Sequence, residues 1–109
     1  MKIAHTLARG VEFRYDGNPE LGTSIEFGDG YTCNMTVEEY SALRNAFPQG
    51  SIVRVGASRT NPPEASLGAW LKANIHEQRS IASYVAAILV DAQWAYQIDT
   101  KTICFNYAR

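Results

Sequence analysis

The chain is poor in the residues that carry most site chemistry: it has two cysteines and two histidines in 109 residues. Cys33 and Cys104 are far apart and form no Cys-x-x-Cys or other metal-ligand spacing. They read as two reduced, buried thiols rather than a disulfide framework or a metal site. His5 and His76 have no acid, cysteine or second histidine at ligand spacing. The sequence contains no Gly-x-Ser-x-Gly, no phosphate-binding loop motif and no dinucleotide fingerprint. Glu38 and Glu39 are adjacent, so on a helix they point to different sides, which suits a helix start better than paired acid–base work. These absences lead to an expectation of no catalysis, no cofactor and no bound metal.

Long apolar runs are also missing. The longest, Val85 to Val90, is far too short to cross a bilayer. A soluble, cytoplasmic protein without a membrane partner is expected. Charge of one sign is scarce too: net charge is −1, so no whole-molecule field draws the chain toward nucleic acid. Residues 1–50 carry −3, with four basic against seven acidic side chains, and residues 51–109 carry +2, with six against four.

What remains is a globular composition, 46% hydrophobic and 19% charged. At this length the chain can bury one core without staples. The expected fold class is α+β: a small antiparallel sheet with one helix, followed by a helix-turn-helix plus β-hairpin. Val11-Glu12-Phe13-Arg14-Tyr15 alternates as a half-buried strand should. Thr23–Phe27 and Tyr31–Met35 are two further strands, joined by Gly28-Asp29-Gly30, which can supply the positive φ angles of a tight hairpin. Thr36-Val37-Glu38-Glu39 matches a capping box, and Val37, Tyr40, Leu43 and Phe47 follow at helical spacing. Pro48-Gln49-Gly50 stops that helix, and Ser51–Val55 is a fourth strand. This predicts one domain over 1–109, with a β-β-β-α-β unit at 1–55, a linker at 56–65 ending in Thr60-Asn61-Pro62-Pro63, and a helical unit at 66–109. In the last unit Ser66 caps a helix with Leu67, Trp70, Leu71 and Ile75 on one face. Ser80 caps a second helix running to Ala92, with Ile81, Tyr84, Val85, Ile88, Leu89 and Ala92 as its inward stripe. Strands at Trp94–Ile98 and Thr102–Phe105 flank Asp99-Thr100-Lys101.

The run SIASYVAAILVDAQWAYQIDTKTICF resembles the winged-helix superfamily, especially small bacterial repressors. Ser80 and Ser83 match the serine-rich start of the recognition helix, Ala92-Gln93-Trp94 its end, and Asp99-Thr100-Lys101 the wing tip. The resemblance covers about 40 of the 109 residues and implies a second helix that docks on a partner. If the partner is DNA, Arg79, Lys101, Arg54 and Arg59 are the phosphate contacts and Ser83 the base contact. The helix face opposite Ile81 and Val85 carries Ala82, Ser83, Ala86, Ala87 and Val90, small and without positive charge, where base readout normally uses Arg, Lys, Asn or Gln. Such a face is normally covered, either by residues 1–55 or by a protein partner or second copy. The reading is therefore a non-enzymatic binding protein, a regulatory or inhibitory accessory of a bacterium or its mobile elements, docking on protein through Ala82, Ser83, Ala86, Ala87 and Val90. One alternative is a dimeric winged-helix transcriptional regulator bound to a palindromic DNA site. Another is a small-ligand sensor whose pocket is lined by Trp70, Trp94 and Tyr40. Arg54 and Arg59 flank Gly56-Ala57-Ser58, which reads either as a solvated linker or as an anion-binding loop.

Overall fold

In the first half, period-two alternation decides which side chains go inside. The computed structural model describes residues 1–56, 65–75, 77 and 79–107. Strands β2 (Glu12–Asn18), β3 (Gly22–Phe27) and β4 (Tyr31–Met35) direct Phe13, Tyr15, Ile25, Phe27, Cys33 and Met35 to a buried face. Arg14, Glu26 and Thr32 are aligned across the opposite, outer face. Gly28 and Gly30 have φ of +58° and +87° and close the β3–β4 hairpin with Phe27 opposite Tyr31. The sequence predicts three strands ahead of the first helix, and a fourth is found there. Strand β1 (Lys2–His5) pairs antiparallel with β2, Lys2 opposite Tyr15 and His5 opposite Glu12, giving the order β1-β2-β3-β4. None of its four residues is fully buried, so it lacks the in–out alternation that marks the other strands.

The capping box is present as expected. Glu39 N–H donates to Thr36 Oγ1 at 3.1 Å and Thr36 N–H to Glu39 Oε1 at 2.8 Å, opening helix α1 (Val37–Ala46). Tyr40, Leu43 and Phe47 face inward, whereas Val37 stays exposed. The Tyr40 hydroxyl lies 2.7 Å from that of Thr23, so this buried pair of polar groups is satisfied and ties α1 to β3.

Strand β5 (Ile52–Arg54), grouped with the first half by sequence, pairs with the last strand instead. Helices α2 (Leu67–Asn74) and α3 (Ala82–Asp91) and strands β6 (Ala95–Asp99) and β7 (Thr102–Phe105) follow, and a second antiparallel sheet has the order β5-β7-β6. The fold class is thus α+β, with three helices and two small antiparallel sheets among the described residues. Ser66 caps α2 as expected, its Oγ accepting from Ala69 N–H at 3.0 Å. The start of α3 differs from expectation. It begins at Ala82, after Ile81, which provides no side-chain capping bond. Its Ala82, Val85, Ala86, Ala87, Ile88 and Leu89 are all buried. The helix packs against α2, β1 and β6 and runs through the core between the sheets. Ring contacts fasten it to the first sheet: Tyr84 lies 4.7 Å from Phe27, stacked, and 5.1 Å from Phe13, edge-on. At the far end the Tyr15 hydroxyl donates to Asp91, and Lys2 Nζ lies 3.9 Å from the same carboxylate.

Candidate anion-binding cleft

Four chain segments that are remote in sequence meet around the start of α3. The β1–β2 connection is held shut by its own backbone. Thr6 N–H donates to the Val11 carbonyl and Gly10 N–H to the Thr6 carbonyl, both at 3.0 Å, while Val11 N–H donates to Thr6 Oγ1 at 2.9 Å. This presents Arg9 at the loop tip. The end of β5 contributes Arg54, Val55 and Gly56, placed by Val55 N–H donating to the Lys101 carbonyl at 2.9 Å and by Gly68 N–H donating to the Val55 carbonyl at 2.8 Å. A methyl group at position 68 would overlap the Gly56 carbonyl oxygen, so glycine at 68 lets α2 approach the strand end. The β6–β7 turn adds Thr100 and Lys101, and the start of α3 adds Ser80, Ser83, Tyr84 and Ala86. Together they enclose a cleft of about 630 Å³.

Arg9, Arg54 and Lys101 line this cleft, and among the described residues no carboxylate does. Ion pairs between described residues engage none of the three. Asp99, two residues before Lys101, accepts from Lys101 N–H at 2.8 Å. That backbone donor first, then the Thr102 hydroxyl and more weakly the Arg54 charge, hold the Asp99 carboxyl below its ordinary value. The cleft therefore concentrates positive charge in a chain whose net charge is −1. The hydroxyl residues Thr6, Ser83 and Thr100 also line it, and Leu7, Val11 and Tyr84 give it an apolar wall.

The cationic residues expected from the sequence divide. Arg54, Ser83 and Lys101 come together here. Arg79 does not: its guanidinium lies 3.8 Å over the Tyr31 ring and 3.3 Å from Glu77 Oε1. Arg59 lies outside the described residues, as do the central positions of the 56–65 linker. On the expected docking face, Ala82, Ala86 and Ala87 are buried by the chain itself and Ser83 and Val90 are half-buried. The three rings expected to line a ligand pocket make ring contacts of their own. Tyr40 and Trp94 meet edge-on at 6.2 Å in the core, and Trp70 meets Phe47 at 6.4 Å.

No protein-family model, curated protein or solved structure matches the chain. The site is read from its own geometry. Sequence reasoning missed Arg9 and Thr6. The available signal was Arg9-Gly10 beside a strand, but it points to a loop only once β1 is known to be the strand before it. Among the described residues no three His, Cys, Asp or Glu side chains cluster as metal ligands, and no helix is long and apolar enough to cross a membrane.

Proposed function

We propose that the protein acts by docking on another polypeptide, itself included, without catalysis, through the outer face of the β5-β7-β6 sheet. The observation that carries this is a set of apolar side chains left in solvent there. Ile52 is 66% exposed and Tyr96 51%, and both sit opposite Cys104, so the two share one sheet face. Ile98, at the irregularity between Gln97 and Asp99, is also half in solvent. Tyrosine with aliphatic neighbours and a flanking arginine, Arg54, is the composition enriched at protein interfaces. On this reading helix-turn-helix-hairpin is a winged-helix-like frame whose α3 serves as a structural rod. A helix entering a DNA groove needs an exposed face of polar readers. The burial of Ala82, Ala86 and Ala87 argues against the DNA-regulator alternative. Such docking suits a regulatory or inhibitory accessory protein.

The test is sedimentation equilibrium over a range of concentrations, followed by affinity capture from the native host with nuclease added. The doubly substituted Ile52→Asp/Tyr96→Ala chain is the comparison. Loss of self-association, or loss of a stoichiometric protein that the unaltered chain captures, supports the reading. Identical mass and identical captures for the two chains overturn it.

A further inference from the structure

We infer that the cleft at the start of α3 binds a phosphorylated small molecule carrying two or more negative charges. The inference does not rest on the docking face, although Arg54 borders both.

Three observations carry it. First, Arg9, Arg54 and Lys101 line one cavity from three separate segments, with no acidic side chain among the described residues of its lining. Like charges repel; Asp99 offsets part of the Arg54 charge, and a bound anion would relieve the repulsion that remains among three solvent-exposed side chains. Second, the volume, about 630 Å³, falls within the span of small-molecule sites, roughly 300–1,000 Å³. All three cations line this one cavity. Third, the cleft is two-sided. Arginine can grip a phosphoryl group with two parallel N–H donors, and Ser83 adds a hydroxyl. Leu7 and Val11 face the same space with apolar surface. A ligand with an anionic end and a less polar body, such as a nucleotide, matches both walls.

The direct test is isothermal titration calorimetry of the full chain with ADP and with pyrophosphate, without divalent cations. One-to-one binding is expected. Arg54→Gln and Lys101→Gln should each weaken it about tenfold, the loss of one charge-assisted contact. Ser83→Asp, which sets a carboxylate into the cleft, should abolish it. Arg14→Gln, on the outer face of the first sheet, should leave it unchanged. Thermal melts of the same variants establish that each remains folded. Absence of binding by both probes up to ~10 mM would overturn the inference. So would equal weakening by Arg14→Gln, or tighter binding of a duplex oligonucleotide than of ADP.

Discussion

Replacing Tyr84 by alanine separates a covered α3 from an exposed one. In the structure its ring is half-buried and touches Phe27 at 4.7 Å and Phe13 at 5.1 Å. Losing half the burial of a large side chain costs about 1 kcal/mol. Losing two aromatic contacts costs about 1 kcal/mol each. The expected loss is therefore about 3 kcal/mol, a large share of the stability of a small domain. For a domain of this size it lowers Tm by about 12 °C. Urea unfolding followed by far-ultraviolet circular dichroism measures it. A cycle with Phe27→Ala should return a coupling of about 1 kcal/mol, because the two rings are in contact. If α3 instead presented this face to solvent, Tyr84→Ala would behave as a surface substitution, within about 0.5 kcal/mol. A loss below about 1 kcal/mol, or full additivity with Phe27→Ala, would refute the reasoning.

Two further perturbations follow from the same packing. Gly68→Ala should destabilise by about 1–2 kcal/mol, because overlap with the Gly56 carbonyl outweighs the gain of about 1 kcal/mol in helix propensity; a raised Tm would contradict this. Alkaline pH should weaken the fold. Burial first, then Glu77 and Glu39, pushes the Cys33 thiol up from 9.0 to about 11. Burial pushes the Tyr107 hydroxyl from 10.0 to about 12, against the pull of Arg44. The unfolded chain loses both protons first, so the native state binds more protons over this interval and stability falls as pH rises from about 9 to about 12. A urea midpoint that holds constant across that interval would be inconsistent with these environments.

Local signals were legible where a few residues decide the backbone. Thr36 with Glu39, Ser66 with Ala69, and the glycine pair around Asp29 each act within four residues, so their geometry follows from spacing alone. The burial of α3 was legible in part. An alanine-rich helix whose one charge is its terminal Asp91 must be covered, but the sequence does not say by what. The cover comes from both sheets and from α2: α2, β1 and β6 pack against the helix, and Tyr84 and Asp91 meet Phe13, Phe27 and Tyr15, whose alternation marks them as core without naming their partner. β1 was missed because it is held by its ladder to β2 and by α3 rather than by its own pattern. The choice of β7 as the partner of β5 spans about fifty residues, beyond any local rule. The cleft was hardest to foresee, since Arg9, Arg54 and Lys101 are single cations in three unrelated turns and strand ends. Only tertiary closure brings them to one space.

Helix α3 lies between the two sheets and meets the first through Tyr84. Nuclear Overhauser contacts between the aromatic ring protons of Tyr84 and those of Phe13 and Phe27, in the folded chain in solution, report that arrangement directly. Clear cross-peaks from Tyr84 to both phenylalanines are expected. Tyr84 rings that show contacts only within their own helix, with Ala82, Ala86 and Ala87 amides open to solvent exchange, would contradict it.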